Sequence, residues 1–68
     1  MNRGEFIRRA RRYARRNGLD FDYDPAGGKG SHGALTLGDR RTIVPYGEIR
    51  RGTLSAMLRQ LGIDPQEF

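Results

Sequence analysis

The segment at residues 3–17, RGEFIRRARRYARRN, most constrains the fold because its apolar and basic side chains separate at the period of a helix. At about 100° per residue, five apolar side chains share one arc of about 120°: Phe6, Ile7, Ala10, Tyr13 and Ala14. Six arginines occupy an opposite arc of about 160°: Arg8, Arg9, Arg11, Arg12, Arg15 and Arg16. The pattern predicts an amphipathic helix that ends at Asn17-Gly18 and keeps its arginine face exposed.

The segment after this helix predicts a strand and then a loop. Residues 19–23, LDFDY, alternate between apolar and acidic side chains, which is typical of a half-buried strand. In that strand Leu19, Phe21 and Tyr23 would share the buried face. Residues 24–33, DPAGGKGSHG, contain a proline and several glycines, so we expect a loop without regular structure.

A β-hairpin is predicted next. Residues 34–37, ALTL, predict a second strand, which begins there or one or two residues earlier. Gly38-Asp39 supplies a tight turn into a third strand at residues 41–44, and Pro45 ends that strand.

A second helix is predicted at residues 53–61, followed by Gly62 as its end and by Ile63 packing back on its last turn. Its apolar residues lie at i, i+3, i+4 and i+7: Leu54, Met57, Leu58 and Leu61. Residues 1–68 therefore predict one α+β domain of order α-β-β-β-α. We expect a two-layer sandwich in which both helices cover one face of a three-stranded antiparallel sheet.

The basic residues are concentrated near the N-terminus. Seven arginines and one glutamate give residues 1–17 a formal charge of +6, so the remaining residues carry −1 of the total +5. Twelve of the 13 basic residues are arginine, whose planar guanidinium group suits phosphate. The asymmetry favours a polyanion or an acidic protein as partner, although a solvated helix face has the same charge pattern.

Composition excludes several kinds of site. The chain has no cysteine, which excludes disulfides and thiolate metal sites, and its carboxylates are not spaced to complete a metal site with the one histidine. Gly28-Lys29 is followed by Gly30, whereas a nucleotide-binding P-loop requires serine or threonine there. No apolar run approaches the roughly 20 residues of a membrane span, and the first residues lack the apolar core of a signal peptide, so we expect a cytoplasmic protein.

His32, the single histidine, lies in GGKGSHG at residues 27–33. Imidazole accepts or donates a proton near neutral pH, and RNA carries its own nucleophile, the 2′-hydroxyl group. Lys29, nearby arginines and glycine N–H groups would stabilise the negative charge that develops on a phosphate. A lone loop histidine is also compatible with a structural role. The second proton-transfer group stays open among water, Lys29, Tyr46, an arginine and His32 itself.

Three motifs follow one another between residues 28 and 64: GKGSHG at 28–33, LTLGDRRTIVP at 35–45 and GTLSAMLRQLGID at 52–64. Together they resemble the HicA toxins of bacterial and archaeal toxin–antitoxin pairs. The resemblance implies a double-stranded-RNA-binding-domain-like fold and cleavage of mRNA without metal or another cofactor, which arrests translation and growth. It places the family's catalytic histidine at His32. It also implies a HicB-type antitoxin that binds the active surface.

The predicted site therefore joins catalytic His32 to RNA-binding residues in two segments. These are Lys29, Gly30 and Ser31 in the glycine-rich loop, and Arg8, Arg12, Arg15 and Arg16 on the first helix. Two other hypotheses remain open. One is a non-catalytic RNA-binding module that recognises A-form RNA by shape. The other is an interaction protein whose arginine face binds an acidic partner.

Overall fold

The computed structural model describes residues 1–28, 30 and 32–68. Its elements are α1 (Arg3–Asn17), β1 (Phe21–Asp24), β2 (His32–Leu37), β3 (Arg40–Pro45), α2 (Arg51–Leu61) and a 3₁₀ turn (Pro65–Glu67). This confirms the predicted α+β class and the order α-β-β-β-α, and it is compatible with a double-stranded-RNA-binding-domain-like fold. Neither helix in the described part of the chain is long and apolar enough to cross a bilayer.

Helix α1 begins and ends with capping residues. The Oδ1 atom of Asn2 accepts a hydrogen bond from the Glu5 N–H at 2.8 Å, which satisfies a free donor of the first turn. Gly18 ends the helix with φ at 64°, and the N–H groups of Gly18 and Leu19 both donate to the Ala14 carbonyl. These bonds hold Leu19 in the connection, where it is 41% exposed. The prediction that a strand begins at Leu19 is therefore wrong.

The three strands form one antiparallel sheet in the order β1-β2-β3. Gly38 adopts φ of 61° between β2 and β3, which confirms the predicted tight turn. Strand β2 begins at His32, opposite Pro45, which is the earliest of the predicted starts and takes residues 32 and 33 out of the predicted loop. Pairing with β3 orders them despite the glycines around them.

The register sends alternate side chains to opposite faces of the sheet. Leu35, Leu37 and Val44 point to one face and are buried there. They form a single core with the buried residues of both helices: Phe6, Ala10 and Ala14 from α1, and Met57, Leu58 and Leu61 from α2. Both helices thus cover the same face, as predicted. The opposite face, which we call the open face, carries His32.

Helix α2 begins at Arg51, earlier than predicted, and ends as predicted. Gly62 adopts φ of 71°, and the N–H of Ile63 donates to the Leu58 carbonyl at 2.9 Å. Ile63 is buried. The chain then returns Phe68 to α1, with its ring centroid 5.2 Å from that of Phe6.

Gly33 is required by its neighbour across the sheet. An ideal β-carbon at residue 33 would lie 2.7 Å from Cζ of Tyr23, closer than real contacts allow. The buried Tyr23 hydroxyl has no hydrogen-bond partner among the described residues. Gly33→Ala should displace this ring and lower the free energy of unfolding by about 1–3 kcal/mol, measured by urea denaturation.

Gly52→Ala is the matched control. Apart from its chain neighbours and the backbone of its own helix, no atom of the described residues lies within 4 Å of an ideal β-carbon at residue 52, which is in α2. Alanine there should leave stability unchanged or raise it by up to about 1 kcal/mol. Equal stability of Gly33→Ala and the parent chain would contradict the close packing of Tyr23 on Gly33.

Candidate functional site

The segment after β3 is held by the first residues of the chain. The N–H of Arg3 donates to the Gly47 carbonyl at 3.1 Å, and the N–H of Ile49 donates to the Met1 carbonyl at 2.7 Å. Ile49 is buried in the core, and the backbone continues extended at Arg50. Because side chains alternate along extended backbone, Glu48 and Arg50 both project away from the core.

Glu48 and Arg50 line an open cleft of about 420 Å³ together with His32. The other lining residues are Ile43, Pro45 and Thr53. An imidazole, a carboxylate, a guanidinium group and a hydroxyl therefore surround one space, beside the apolar surface of a strand. This combination can transfer protons and bind an anion at the same place.

His32 is exposed, but its backbone is fixed. It lies opposite Pro45 in the sheet, and its carbonyl accepts a hydrogen bond from the Gly28 N–H at 3.1 Å. An ideal β-carbon at Gly28 would lie 2.9 Å from both the carbonyl oxygen and the β-carbon of His32. Only glycine permits this close approach. Gly28 thus supports the histidine at the edge of the cleft.

Tyr46 lies beside the cleft and fixes the connection between β1 and β2. Its hydroxyl donates to the Pro25 carbonyl at 2.7 Å, and the Arg3 guanidinium group stacks on its ring, 4.2 Å from the centroid. Arg41 holds the same connection through a 3.1 Å hydrogen bond from Nη2 to the Gly27 carbonyl. Tyr46 therefore has a structural role here and does not line the cleft.

The predicted loop residues are only partly described. Gly30 is exposed and adopts φ of 66°, a left-handed conformation that favours glycine. Lys29 and Ser31 lie outside the described residues. Tyr23, which sequence reasoning assigned to packing, does pack against the core.

A comparison of the sequence with models of known protein families shows the family of this chain. The family model described as HicA toxin of bacterial toxin-antitoxin matches residues 8–63, which include all three strands and α2. The chain belongs to the HicA toxin family. Membership implies an antitoxin as partner, as expected of a toxin–antitoxin system. No curated protein and no solved structure matches the chain.

The predicted arginines of this HicA family member lie far from the cleft. Arg8, Arg12 and Arg15, which we call the arginine stripe, are exposed and line a shallow groove of about 270 Å³ with Arg11. The buried side of α1 faces the sheet, so the stripe points away from it, whereas His32 projects from the open face. The structure therefore does not bring the arginine stripe together with His32.

The arginine stripe differs from its neighbours on α1 in its contacts. Arg9 pairs with Glu5 at 3.1 Å, and Arg11 stacks over Phe21 at 5.2 Å from the ring centroid. Arg16, which was predicted to bind RNA, donates from Nη2 to the Glu67 carbonyl at 2.7 Å. Arg8, Arg12 and Arg15 make no ion pair or hydrogen bond with any residue that the structure describes. These three side chains are free to bind an external anion.

The sequence did not predict that Glu48, Arg50 and Thr53 line the cleft with His32. They belong to a segment with no helical or strand periodicity, PYGEIRRGT, so no pattern assigned their directions. The alternation of Glu48 and Arg50 around apolar Ile49 was the available signal. It becomes informative only once Ile49 is known to be buried.

Proposed function

We propose that this HicA family member is the toxin of a type II toxin–antitoxin pair and an endoribonuclease that cleaves mRNA at His32 without metal. Its action would arrest translation and growth in the cytoplasm. The observation that carries this proposal is the position of the single histidine. His32 is exposed in an open cleft with Arg50, where a phosphate can reach it, instead of being packed in the core.

The chemistry requires no group beyond the RNA and side chains of this kind. A base removes the proton of the 2′-hydroxyl, and the 2′-oxygen attacks the adjacent phosphorus. The bond from phosphorus to the 5′-oxygen breaks, and an acid protonates that oxygen. The products are a 2′,3′-cyclic phosphate and a 5′-hydroxyl. The guanidinium group of Arg50 would stabilise the charge on the phosphate oxygens.

RNA binding is proposed to involve two surfaces. Lys29, Gly30 and Ser31 precede His32 directly and would orient the scissile phosphate. Arg8, Arg12, Arg15 and Arg16 on α1 would bind the RNA backbone at a distance. The smallest extent of the molecule is 17 Å. A flexible single strand can bend around that thickness, whereas a straight duplex contacts one side only, so we propose single-stranded mRNA as the substrate.

The proposed protein partner is a HicB-type antitoxin. Family membership implies an antitoxin, and the cleft that holds His32 and Arg50 is open in the free chain. We propose that the antitoxin inhibits cleavage by covering this cleft. In a mixture of the two proteins, cleavage should then fall in proportion to the toxin bound.

The catalytic role of His32 predicts a large loss of activity on its removal. In excess EDTA, the parent chain should cleave a long single-stranded RNA and leave 2′,3′-cyclic phosphate ends. His32→Ala should cleave at least about 10²-fold more slowly, since that is the typical contribution of one acid–base group. Gel electrophoresis and end analysis measure both results, with circular dichroism to show that the variant is folded.

The other outcomes are equally informative. RNA binding by parent and variant without cleavage would favour the non-catalytic RNA-binding module. Equal cleavage by both chains would show that His32 is not the catalytic residue. DNA of the same sequence lacks the 2′-hydroxyl and should remain intact, which controls for a contaminating deoxyribonuclease.

The arginine stripe predicts a salt-dependent contribution to RNA affinity. The triple variant Arg8→Gln/Arg12→Gln/Arg15→Gln should bind single-stranded RNA more weakly at low salt. Each lost phosphate contact should reduce the slope of log K against log salt by about 0.7, hence by about 2 for the triple variant. Fluorescence anisotropy at several salt concentrations measures both quantities.

Arg9→Gln/Arg40→Gln/Arg59→Gln is the matched control for this prediction. It removes the same charge, but Arg9 already pairs with Glu5, and none of the three residues lines the groove of the arginine stripe. Its salt slope should change less. Equal slopes for the two triple variants would show that net charge, rather than the arginine stripe, determines RNA affinity.

A further inference from the structure

The proposed cleavage needs two proton-transfer groups, and the chain has one histidine. One group must take the proton of the 2′-hydroxyl while the other gives a proton to the leaving 5′-oxygen. Among the described residues that line the cleft, Glu48 is the other side chain suited to this task. Near neutral pH the guanidinium group of Arg50 keeps its protons, and the hydroxyl of Thr53 does not ionise.

We propose that Glu48 is the general base and His32 the general acid of RNA cleavage, with Arg50 binding the phosphate between them. This inference rests on the proposed function. It assigns the second proton-transfer group, which the sequence left open.

Glu48 and His32 are each held in place by different backbone contacts. Glu48 is held next to buried Ile49, whose N–H donates to the Met1 carbonyl at 2.7 Å. His32 is held on β2 by its pairing with Pro45. Their side chains therefore line the same 420 Å³ cleft from different elements, and a phosphate that enters it lies between a carboxylate and an imidazole.

The Glu48 carboxylate is accessible and retains an acceptor. Its side chain is 72% exposed, and its Oε2 atom lies 2.6 Å from the α-amino group of Met1. Its Oε1 atom makes no hydrogen bond with the residues that the structure describes, so this oxygen can accept the 2′-hydroxyl proton. Besides Glu48, the cleft lining contains the guanidinium group of Arg50, and the Met1 ammonium lies next to Glu48, so both neighbouring charges are cationic. They attract the phosphate in spite of the carboxylate.

The side-chain chemistry of the two groups assigns their roles. The oxygens of a carboxylate accept hydrogen bonds, whereas an imidazolium ring donates from both ring nitrogens. The carboxylate of Glu48 therefore takes the 2′-hydroxyl proton, and the imidazolium of His32 gives a proton to the leaving 5′-oxygen. At the end of the step Glu48 carries the proton of the 2′-hydroxyl and His32 is neutral, so the proton count balances.

The test is the pH dependence of kcat/KM for cleavage of a short single-stranded RNA in EDTA by the full chain. The parent should give a bell-shaped profile. Its acidic limb reflects the base, because activity is lost as the carboxylate is protonated at low pH. Its basic limb reflects the acid, because activity is lost as the imidazolium loses its proton at high pH. Glu48→Gln should lower kcat about 10²-fold or more and remove the acidic limb.

Three further measurements separate catalysis from folding and binding. Glu48→Asp keeps a carboxylate and should recover part of kcat together with the acidic limb. Glu67→Gln removes an exposed carboxylate outside the cleft and should match the parent. DNA of the same sequence, which has no 2′-hydroxyl, should bind Glu48→Gln within about threefold of the parent but bind Arg50→Gln more weakly.

The outcomes distinguish this inference from the function on which it rests. If the parent cleaves and folded Glu48→Gln cleaves at the same rate with both limbs intact, Glu48 is not the base, while the ribonuclease function stands. If Glu48→Gln loses DNA binding in proportion to kcat, Glu48 contributes to binding, and the inference is again overturned. If the parent itself does not cleave RNA, both proposals fail together.

Discussion

The packing of Phe6 against the sheet is the contact on which the rest of this structure depends. Phe6, Leu35 and Val44 are the largest fully buried side chains, and they join α1 to two strands. Removing a buried phenylalanine side chain typically costs about 3–5 kcal/mol, against a total stability of about 5–15 kcal/mol for a small domain. Phe68 adds a second ring at 5.2 Å and so closes the end of the same core. A 68-residue chain has few alternatives to this contact.

This packing also determines where chemistry can occur. The two helices cover one face of the sheet, and the chain has no third helix for the other face within the described residues. Because side chains alternate along β2, burial of Leu35 and Leu37 places His32 on the open face. A shift of the register by one residue would turn the histidine toward the core and Leu35 toward solvent. The same strand register thus buries the core residues of the sheet and exposes the histidine.

Much of the fold could be predicted because its patterns are local. The arginine and apolar arcs of α1, the turn at Gly38 and the end of α2 at Gly62 each depend on neighbours within a few residues. Two boundaries depend on hydrogen bonds that these patterns do not reveal. His32 belongs to a strand because β3 pairs with it, and Leu19 leaves the strand because its N–H caps α1.

The candidate site could be predicted only in part because contacts between distant segments position some of its side chains. His32 was predicted because it is the single histidine, and the three sequence motifs indicated a family that a profile match confirms for the chain. Glu48 and Arg50 were missed because their directions depend on the pairing of the chain's first residues with residues 47–49. That pairing joins segments that are distant in the sequence. No periodicity within PYGEIRRGT reveals it.

Because the arginine stripe is separate from the cleft, substitutions at one surface can leave the other surface unchanged. The stripe lies on the outer side of α1, and His32 lies beyond the sheet on the open face, so no described residue lines both the cleft and the groove of the arginine stripe. Effects of substitutions at sites without shared partners are usually additive. Affinity for a polyanion can therefore vary through α1 without altering the cleft. Conversely, a partner that covers the cleft leaves the arginine stripe exposed to solvent and able to bind an anion. The arginine stripe and the cleft are independent because the fold has two layers. The core that joins the helices to the sheet lies between the two surfaces.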